Sequence, residues 1–345
     1  MKRLVRWSAL RRRLDAAIGL LTGLYACGLI AFVGWQLWLP REFAPLALAA
    51  AFLPFVFAPL LLTVPLAWAA RARVSLALHG VALGLFVALY GPRFVPPPLR
   101  VRPPQAHEQA VTVLTHNLHY LAHDADELAT ALLAQPADLL AVQELAPSAE
   151  GHLAAALSER YPHQVSDGWH SDVALYARYP IIDHEWRTLA HKPGGALLTT
   201  VAMPGGAWRV IVVHPYSPRT VRFLGMSLPL GVSYRDLEHD LAALLDEQLA
   251  AGLPVVLLGD LNASEQSLAY RAARARLRDA HARAGWGLGF TFPRGGSLRG
   301  QPIPCAIVRI DYVLYSAPLR ATRARVFCGD VSDHCALLAE LAAPR

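Results

Sequence analysis

Four short acidic motifs recur down the last two-thirds of the chain: Val142-Gln143-Glu144, Gly259-Asp260-Leu261-Asn262, Ile310-Asp311-Tyr312 and Ser332-Asp333-His334. Each sets a carboxylate just after, or at the end of, a short apolar run, where a β-strand would hand a side chain to the edge of a pocket. Carboxylate oxygens are hard donors that suit Mg2+, and histidine exchanges protons near neutral pH. A phosphate ester or anhydride already carries negative charge, so attack by water needs that charge neutralised and the nucleophile positioned. These motifs supply groups for both tasks. Glu144 is the expected principal Mg2+ ligand, with Mn2+ as the alternative ion. Asp260 and Asn262 are two residues apart, so on an extended segment they face the same way. Asp260 can then accept a proton from water, while Asn262 donates to a phosphoryl oxygen or fixes the nucleophile. The competing reading is a Gly-Asp turn closed by its own side chain. The run Val255-Val256-Leu257-Leu258 ahead of it favours a buried strand opening onto a site.

The elements that would carry these motifs alternate from about Ala110 onward. Val111 to Thr115 reads as a strand ending at Asn117, and Asp138 to Val142 as a buried strand delivering Glu144. Further strands are expected at Val173–Ala177, Ala196–Met203, Trp208–Val213, Pro254–Leu258, Ile310–Tyr315 and Cys335–Glu340. Helices are expected at Asp124–Gln135 (with Asp124 as its cap), Gly151–Arg160, Tyr234–Ala251 and Ser267–Ala284. Many short strands with interspersed helices predict an α+β fold, two sheets packed face to face and covered by helices.

In these pieces the chain resembles the endonuclease/exonuclease/phosphatase superfamily, the fold of deoxyribonuclease I. The likeness runs from Val111 to Leu341 and rests on motifs in family order. They are Thr115-His116-Asn117, the run Asp138 to Glu144, Val173 to Ile181, Val213-His214, Gly259 to Ala263, Ile310-Asp311-Tyr312 and Ser332-Asp333-His334. The resemblance implies that Glu144 is the main metal ligand. It also implies that His334 contacts the scissile phosphate or exchanges protons while Asp311 holds its ring; a carboxylate on one ring nitrogen selects the tautomer and raises basicity. Asp333 could add to a metal site. His214 matches the family's strand-end histidine, a second phosphate ligand or general acid, and Asn117 would donate to phosphate or to the metal shell. His116, His119, His123 and His191 read as surface or loop histidines. Two departures stand out. Phe290-Thr291-Phe292-Pro293 occupies the place where many relatives carry a Trp. The acidic partner of the strand-end histidine has no clear match, Asp172 being nearby in uncertain register.

Composition supplies the second half of the reading. Of 345 residues, 54% are hydrophobic and only 17% charged, and the apolar excess sits between Ala16 and Tyr90. Ala16 to Leu39 is long enough to cross a hydrocarbon core of about 30 Å as a helix, with Trp35 and Trp38 suiting an interfacial belt. Leu46 to Ala70, with Pro54, Pro59 and Pro65, and Val74 to Tyr90 are a second and third span. The organisation expected is a basic N-terminus over residues 1–15, a three-helix transmembrane anchor over 16–91, a Pro-rich extended linker over 92–109 and a catalytic domain over 110–345. A cleaved signal peptide fails on length and on the spans that follow.

The net charge of +6 would suggest nucleic acid if it formed a stripe on the domain. Much of it is instead local, at Lys2, Arg3, Arg6, Arg11, Arg12 and Arg13. The positive-inside rule puts that end and Arg71-Ala72-Arg73 in the cytoplasm, and three crossings leave the catalytic domain outside a bacterial cytoplasmic membrane. The combination of spans and domain also resembles bacterial membrane phosphatases of the VanJ, teicoplanin-resistance type. The four cysteines, without CxxC spacing, make no zinc site; a Cys305–Cys328 disulfide is open to a domain outside the cytoplasm, although sequence does not give the pairing.

The segment from Pro215 to Leu230 sets Arg219 and Arg222 among apolar residues. Arginine suits phosphate oxygens, and an apolar loop beside a site suits lipid tails or a bilayer. The expected partners are therefore a lipid bilayer and a lipid-linked phosphate or pyrophosphate. An extracytoplasmic nuclease, a phospholipid phosphodiesterase and a catalytically idle sensor module are the alternatives. Nucleic acid is the less favoured substrate because Lys192 is the sole lysine after the N-terminus.

Overall fold

The computed structural model describes residues 2–38, 44–120, 124–217, 220–223, 226–229, 235–295, 297–298, 301–302 and 305–345. It divides into two compact units, Met1–Phe94 and Val95–Arg345.

In the first unit a single helix, Lys2–Trp38, takes in both the basic N-terminus and the first apolar span. The middle segment, expected as a second span over 46–70 kinked at its prolines, is broken into Ala44–Ala51, Leu53–Val56 and Leu60–Ala69. Pro54 and Pro59 stand at the breaks, each lacking the N–H that would continue a helix and crowding the preceding turn. The last helix is Arg73–Tyr90. Among the described residues two helices are long and apolar enough to cross a membrane, Ala9–Trp38 and Arg73–Phe94, with mean hydropathies of 2.1 and 1.8. Leu53–Ala69 is apolar but shorter. The polar break Pro40-Arg41-Glu42 lies outside the described residues.

Polar side chains inside this unit pair with one another. The Thr22 and Ser75 hydroxyls are 2.8 Å apart, His79 Nε2 is 2.9 Å from Thr63 Oγ1, and Tyr25 OH donates to the Val56 carbonyl at 2.6 Å. An unpaired polar group shielded from water would cost several kcal/mol or roughly that order, so such pairing is what an apolar surround demands.

In the second unit two six-stranded sheets face each other. One has the order Arg320–Phe327, Ala336–Pro344, Glu108–Asn117, Leu139–Gln143, Ala174–Ala177, His163–Val165. The other has the order Arg278–Asp279, Asp311–Tyr315, Val255–Asp260, Gly206–Val213, Lys192–Met203, Ile181–Leu189. Alternate residues of the central strands, such as Val113, Leu139, Leu175, Val210, Val256, Val313 and Leu337, fill the space between the sheets. Their opposite neighbours pack under the covering helices: Leu114, Leu140 and Tyr176 beneath Ala125–Leu133 and Pro147–Leu157, and Ile211, Leu257 and Leu314 beneath Arg235–Ala250 and Leu268–Arg276. Because both faces of these strands are buried, they read as continuous apolar runs rather than as alternation.

Register decides where the chemistry falls. Glu108–Asn117 runs parallel to Leu139–Gln143, with Asn117 opposite Gln143. Val255–Asp260 runs parallel to Gly206–Val213 and antiparallel to Asp311–Tyr315, with Gly259 opposite Val213 and Asp260 opposite Asp311. One pole of the sandwich therefore collects Asn117, Glu144, His214, Asp260 and Asp311.

Three expectations are corrected here. Ser267–Ala284 is not one helix but Leu268–Arg276, a strand at Arg278–Asp279 and a short helix Ala280–Ala284. Asp279 caps the short helix by accepting from Ala282 N at 2.8 Å, and it also takes the buried Arg309 guanidinium. That fully buried ion pair outweighs the helical propensity of the surrounding alanines and arginines. The segment 92–105 is not an extended spacer: it contains turns at Gly91–Phe94 and Pro97–Leu99. Arg100 holds it down by donating to the Ala282 carbonyl at 3.3 Å, and Arg320 by donating to the Arg102 and Pro103 carbonyls. The disulfide joins Cys328 to Cys335, and Cys305 is free.

Candidate active site

Asn117 is the hub of the site. Its side-chain nitrogen donates to Glu144 Oε1 at 3.0 Å and to Asp260 Oδ2 at 3.1 Å, and its oxygen accepts from His119 N at 3.0 Å. The ends of three different strands are thus tied by one amide. Glu144 and Asn262 both adopt left-handed backbone, φ 54° and 49°. That region costs a non-glycine residue of order 1–3 kcal/mol and persists only where surroundings over-determine it, as at functional sites. Gly259 has φ 141°, and a Cβ there would stand 2.1 Å from the Val213 carbonyl oxygen. Only glycine lets the Asp260 strand lie this close to the His214 strand.

Two histidine–carboxylate pairs flank Asp260. His334 Nδ1 is 3.0 Å from Asp311 Oδ2, and its Nε2 is 3.9 Å from Asp260 Oδ2. His214 Nδ1 is 2.7 Å from Asp172 Oδ2, and its Nε2 is 4.0 Å from Asp260 Oδ2 and 3.6 Å from Glu144 Oε1. Each carboxylate fixes its imidazole so that the far nitrogen points at the same place. Burial alone would make His334 harder to protonate, but Asp311, Asp260 and Asp333 overcome it and raise its pKa to about 9. Burial first, and then the Asp311 charge, lift Asp260 to about 6. Burial also opposes the charge on Asp172, yet His214 and Lys192 hold its carboxyl well below the usual range.

These residues fit a divalent cation. Ligand atoms of Asp260, Asp311 and His334 lie within 4.8 Å of one another, all buried. Asp311 Oδ1 and His214 Nε2 are buried without a hydrogen-bond partner among the described residues. An unpartnered carboxylate oxygen and a carboxyl reluctant to ionise beside a second one describe a negatively charged pocket that a hard cation would relieve. Glu144 faces the same space across Asn117.

The remaining expected residues divide. Asn262 closes a turn, its N–H donating to Asp260 Oδ1 at 2.7 Å, and its amide nitrogen donates to the Pro215 carbonyl at 3.1 Å. Asp333 stands at the rim, 3.6 Å from His119 Nδ1 and outside the converging group. Arg219 lies outside the described residues; Arg222 is on the short strand Thr220–Phe223, and its side chain is not described. His123 also falls outside them, and His191 is exposed as expected.

His116 is not a surface residue. It is buried, burial depresses its pKa to about 4, and its Nε2 lies 3.3 Å from the His334 carbonyl, so the neutral ring supports the catalytic loop from below. Phe292, where relatives carry a Trp, packs its ring 4.6 Å from that of His334.

Asp172, left unassigned by the sequence, is the partner of His214, and two further residues gather on it. Lys192 Nζ lies 2.8 Å from Asp172 Oδ2 and 2.9 Å from His214 Nδ1, and the Tyr120 hydroxyl donates to the same carboxylate oxygen. The available signal was the position of Asp172 directly before the apolar run Val173–Ala177. Behind the site, fully buried Arg309 binds Asp279 and Glu265, and Tyr312 OH donates to the Ala263 and Arg309 carbonyls at 2.9 and 2.8 Å. This network anchors the turn after Asp260 to the strand of Asp311.

With the site described, its relatives can be named. The profile of the Endonuclease/Exonuclease/phosphatase family matches residues 114–334. No curated protein matches the chain by sequence. Solved structures share its fold. A family protein from Bacteroides vulgatus is 16% identical with a TM-score of 0.54, covering 68% of this chain and 98% of its own. One from Bacteroides thetaiotaomicron is 15% identical with a TM-score of 0.52, covering 70% and 96%. A mannosyl-6-phosphatase from Bacteroides thetaiotaomicron is 17% identical with a TM-score of 0.50, covering 67% and 99%.

Proposed function

We propose that this chain, which belongs to the endonuclease/exonuclease/phosphatase family and is accordingly a metal-dependent phosphoester hydrolase, acts on a lipid-linked phosphate or pyrophosphate at the outer face of the cytoplasmic membrane. The carrying observation is the convergence on Asp260 Oδ2 of Asn117, His214 and His334, at 3.1, 4.0 and 3.9 Å. Glu144, Asp260 and Asp311 would hold the cation, taken as Mg2+ on the hardness of the donors. When bound, it supplies charge neutralisation to the phosphoryl oxygens. Asp260, ionised beside a bound cation, orients a water and can take its proton. His334, cationic below about pH 9, offers Nε2–H to a phosphoryl oxygen. His214, steered by Asp172, presents Nε2 on the other side and can protonate the leaving oxygen.

Three features support the lipid and the location. Two helices of spanning length precede the domain. The segment after His214 forms a hairpin that pairs Val221 with Leu228 and Phe223 with Met226, a stretch whose residue types are largely apolar. A disulfide, Cys328–Cys335, belongs in an oxidising compartment. The nuclease reading lacks such support: the arginine-lined cleft of Arg100, Arg102, Arg278, Arg283 and Arg320 also contains Tyr315. Tyr315 ends the strand that Asp311 begins, so the cleft sits at the pole away from the catalytic groove.

Detergent-purified protein with Mg2+ is assayed for phosphate release from a polyprenyl pyrophosphate and, separately, for plasmid cleavage, with Glu144→Ala as control. Phosphate release that the variant loses is the expected result. Plasmid cleavage without phosphate release would refute the lipid substrate and move the protein to the nuclease branch.

A further inference from the structure

The segment between strands Arg320–Phe327 and Ala336–Pro344 carries Asp333 and His334 without regular secondary structure. Its far end is well held. Ser332 Oγ donates to the Asn117 carbonyl at 2.7 Å and accepts from His334 N at 3.0 Å. The Asp333 carbonyl accepts from Arg294 N, and Cys335 N donates to the Thr291 carbonyl, each at 2.7 Å. Its near end, Cys328-Gly329-Asp330, is exposed, and Asp330 meets Arg294 only in a solvent-exposed ion pair, a kind worth little. The disulfide from Cys328 to Cys335 closes this segment into a ring, with Cys335 fully buried immediately after His334.

We propose that the Cys328–Cys335 disulfide is a positioning pair for His334, so that turnover depends on its oxidised state. The inference rests on the hydrolytic reading of His334 but on no particular substrate. Closing the ring removes conformations from the segment that bears the histidine, and a small displacement of a catalytic group can cost a large factor in rate. The bond is also approachable, because Cys328 is exposed while Cys335 is not. A dithiol reductant attacks the Cys328 sulfur as thiolate, releases the Cys335 sulfur, and then closes to its own disulfide. Two electrons and two protons pass to the protein, leaving two cysteine thiols.

The test uses the full chain in detergent with Cys305→Ser, which removes the exposed free thiol as a competing partner. Reduction by dithiothreitol is quantified by alkylation and mass. Hydrolysis of bis(p-nitrophenyl) phosphate with Mg2+ and amide hydrogen exchange are then measured. In the reduced form kcat should fall about tenfold or more with KM nearly unchanged. Exchange should quicken over residues 329–335 but not in Ala336–Pro344, and reoxidation should restore both. Cys328→Ser should reproduce the effect without reductant. Fully reduced protein with unchanged kcat and unchanged exchange at 329–335 overturns the proposal. If the oxidised protein leaves this diester intact, kcat is read on the polyprenyl pyrophosphate instead; inactivity on both sinks the functional reading, while unchanged exchange at 329–335 on full reduction overturns the positioning role by itself.

Discussion

Asp311→Asn removes the charge that holds His334 protonated while keeping an oxygen able to accept from its Nδ1–H. His334 is raised from 6.5 to about 9 against the opposing effect of burial. The two side chains are 5% and 0% exposed, so solvent screens the pair little. At about 1.4 kcal/mol per unit, the shift corresponds to about 3 kcal/mol of preference for the imidazolium. Without Asp311 burial is opposed only by Asp260 and Asp333, and His334 should titrate well below 9. In the metal-free protein at pH 7.5 the ring loses charge; because Asp311 is also proposed to hold the cation, kcat should fall about 100-fold or more from the two losses together. Stability carries its own signature. A histidine whose folded pKa is raised contributes stability fully present below its unfolded value, here 6.5, and lost as pH rises through about 9. Metal-free wild-type protein should therefore weaken toward urea between pH 6.5 and 9, and Asp311→Asn should show no such decline. Imidazole titration by 15N-histidine NMR, assigned by difference with His334→Asn, reads the pKa directly. A variant whose His334 still titrates above pH 8 would refute the electrostatic account.

Gly259→Ala should destabilise the protein by roughly 3 kcal/mol, read as a fall in Tm, because its Cβ would meet the Val213 carbonyl oxygen at 2.1 Å; an unchanged Tm would contradict the close approach of the two strands. Arg309→Met removes the buried cation that Asp279 and Glu265 share and should cost about 3–5 kcal/mol in urea unfolding. Asp260, at about 6 in the metal-free fold, must lose its proton to bind a cation. Mg2+ affinity by calorimetry should therefore fall roughly tenfold per pH unit below 6, with proton release on binding, whereas a flat profile from pH 5 to 8 would exclude Asp260 as a ligand. The same raised carboxyl makes the metal-free fold less stable as pH climbs from 3.8 through about 6.

Much of the site's geography was legible in the sequence because buried strands write themselves as apolar runs. Leu139–Gln143, Val255–Asp260 and Asp311–Tyr315 each adjoin or contain their acidic residue, and the strand period fixed which carboxylates end at the pole. Pairings across the fold were not legible. Asp172 and His214 are brought together by two different sheets, and local pattern says nothing of distance between sheets. His116 alternates with buried neighbours yet sits beneath His334 because Asn117, one residue on, had to face the pocket. The wrong cysteine partner has the same origin: the pairing of Arg320–Phe327 with Ala336–Pro344 brings Cys328 opposite Cys335, and only that register reveals it. The helix expected over 267–284 failed because a buried ion pair at Asp279 outweighed propensity.

The placement of the site within its unit also constrains how a lipid substrate could reach it. The chain joins the sandwich at Glu108 and the site begins at Asn117, the two ends of one strand, about 30 Å apart. The Glu108 end carries the arginine cleft and the segment held down by Arg100 and Arg320. The hairpin Thr220–Phe223/Met226–Pro229 follows His214 in the sequence. On the lipid reading, hydrolysis of a soluble diester should survive Phe223→Asp, and hydrolysis of a membrane-embedded substrate should not.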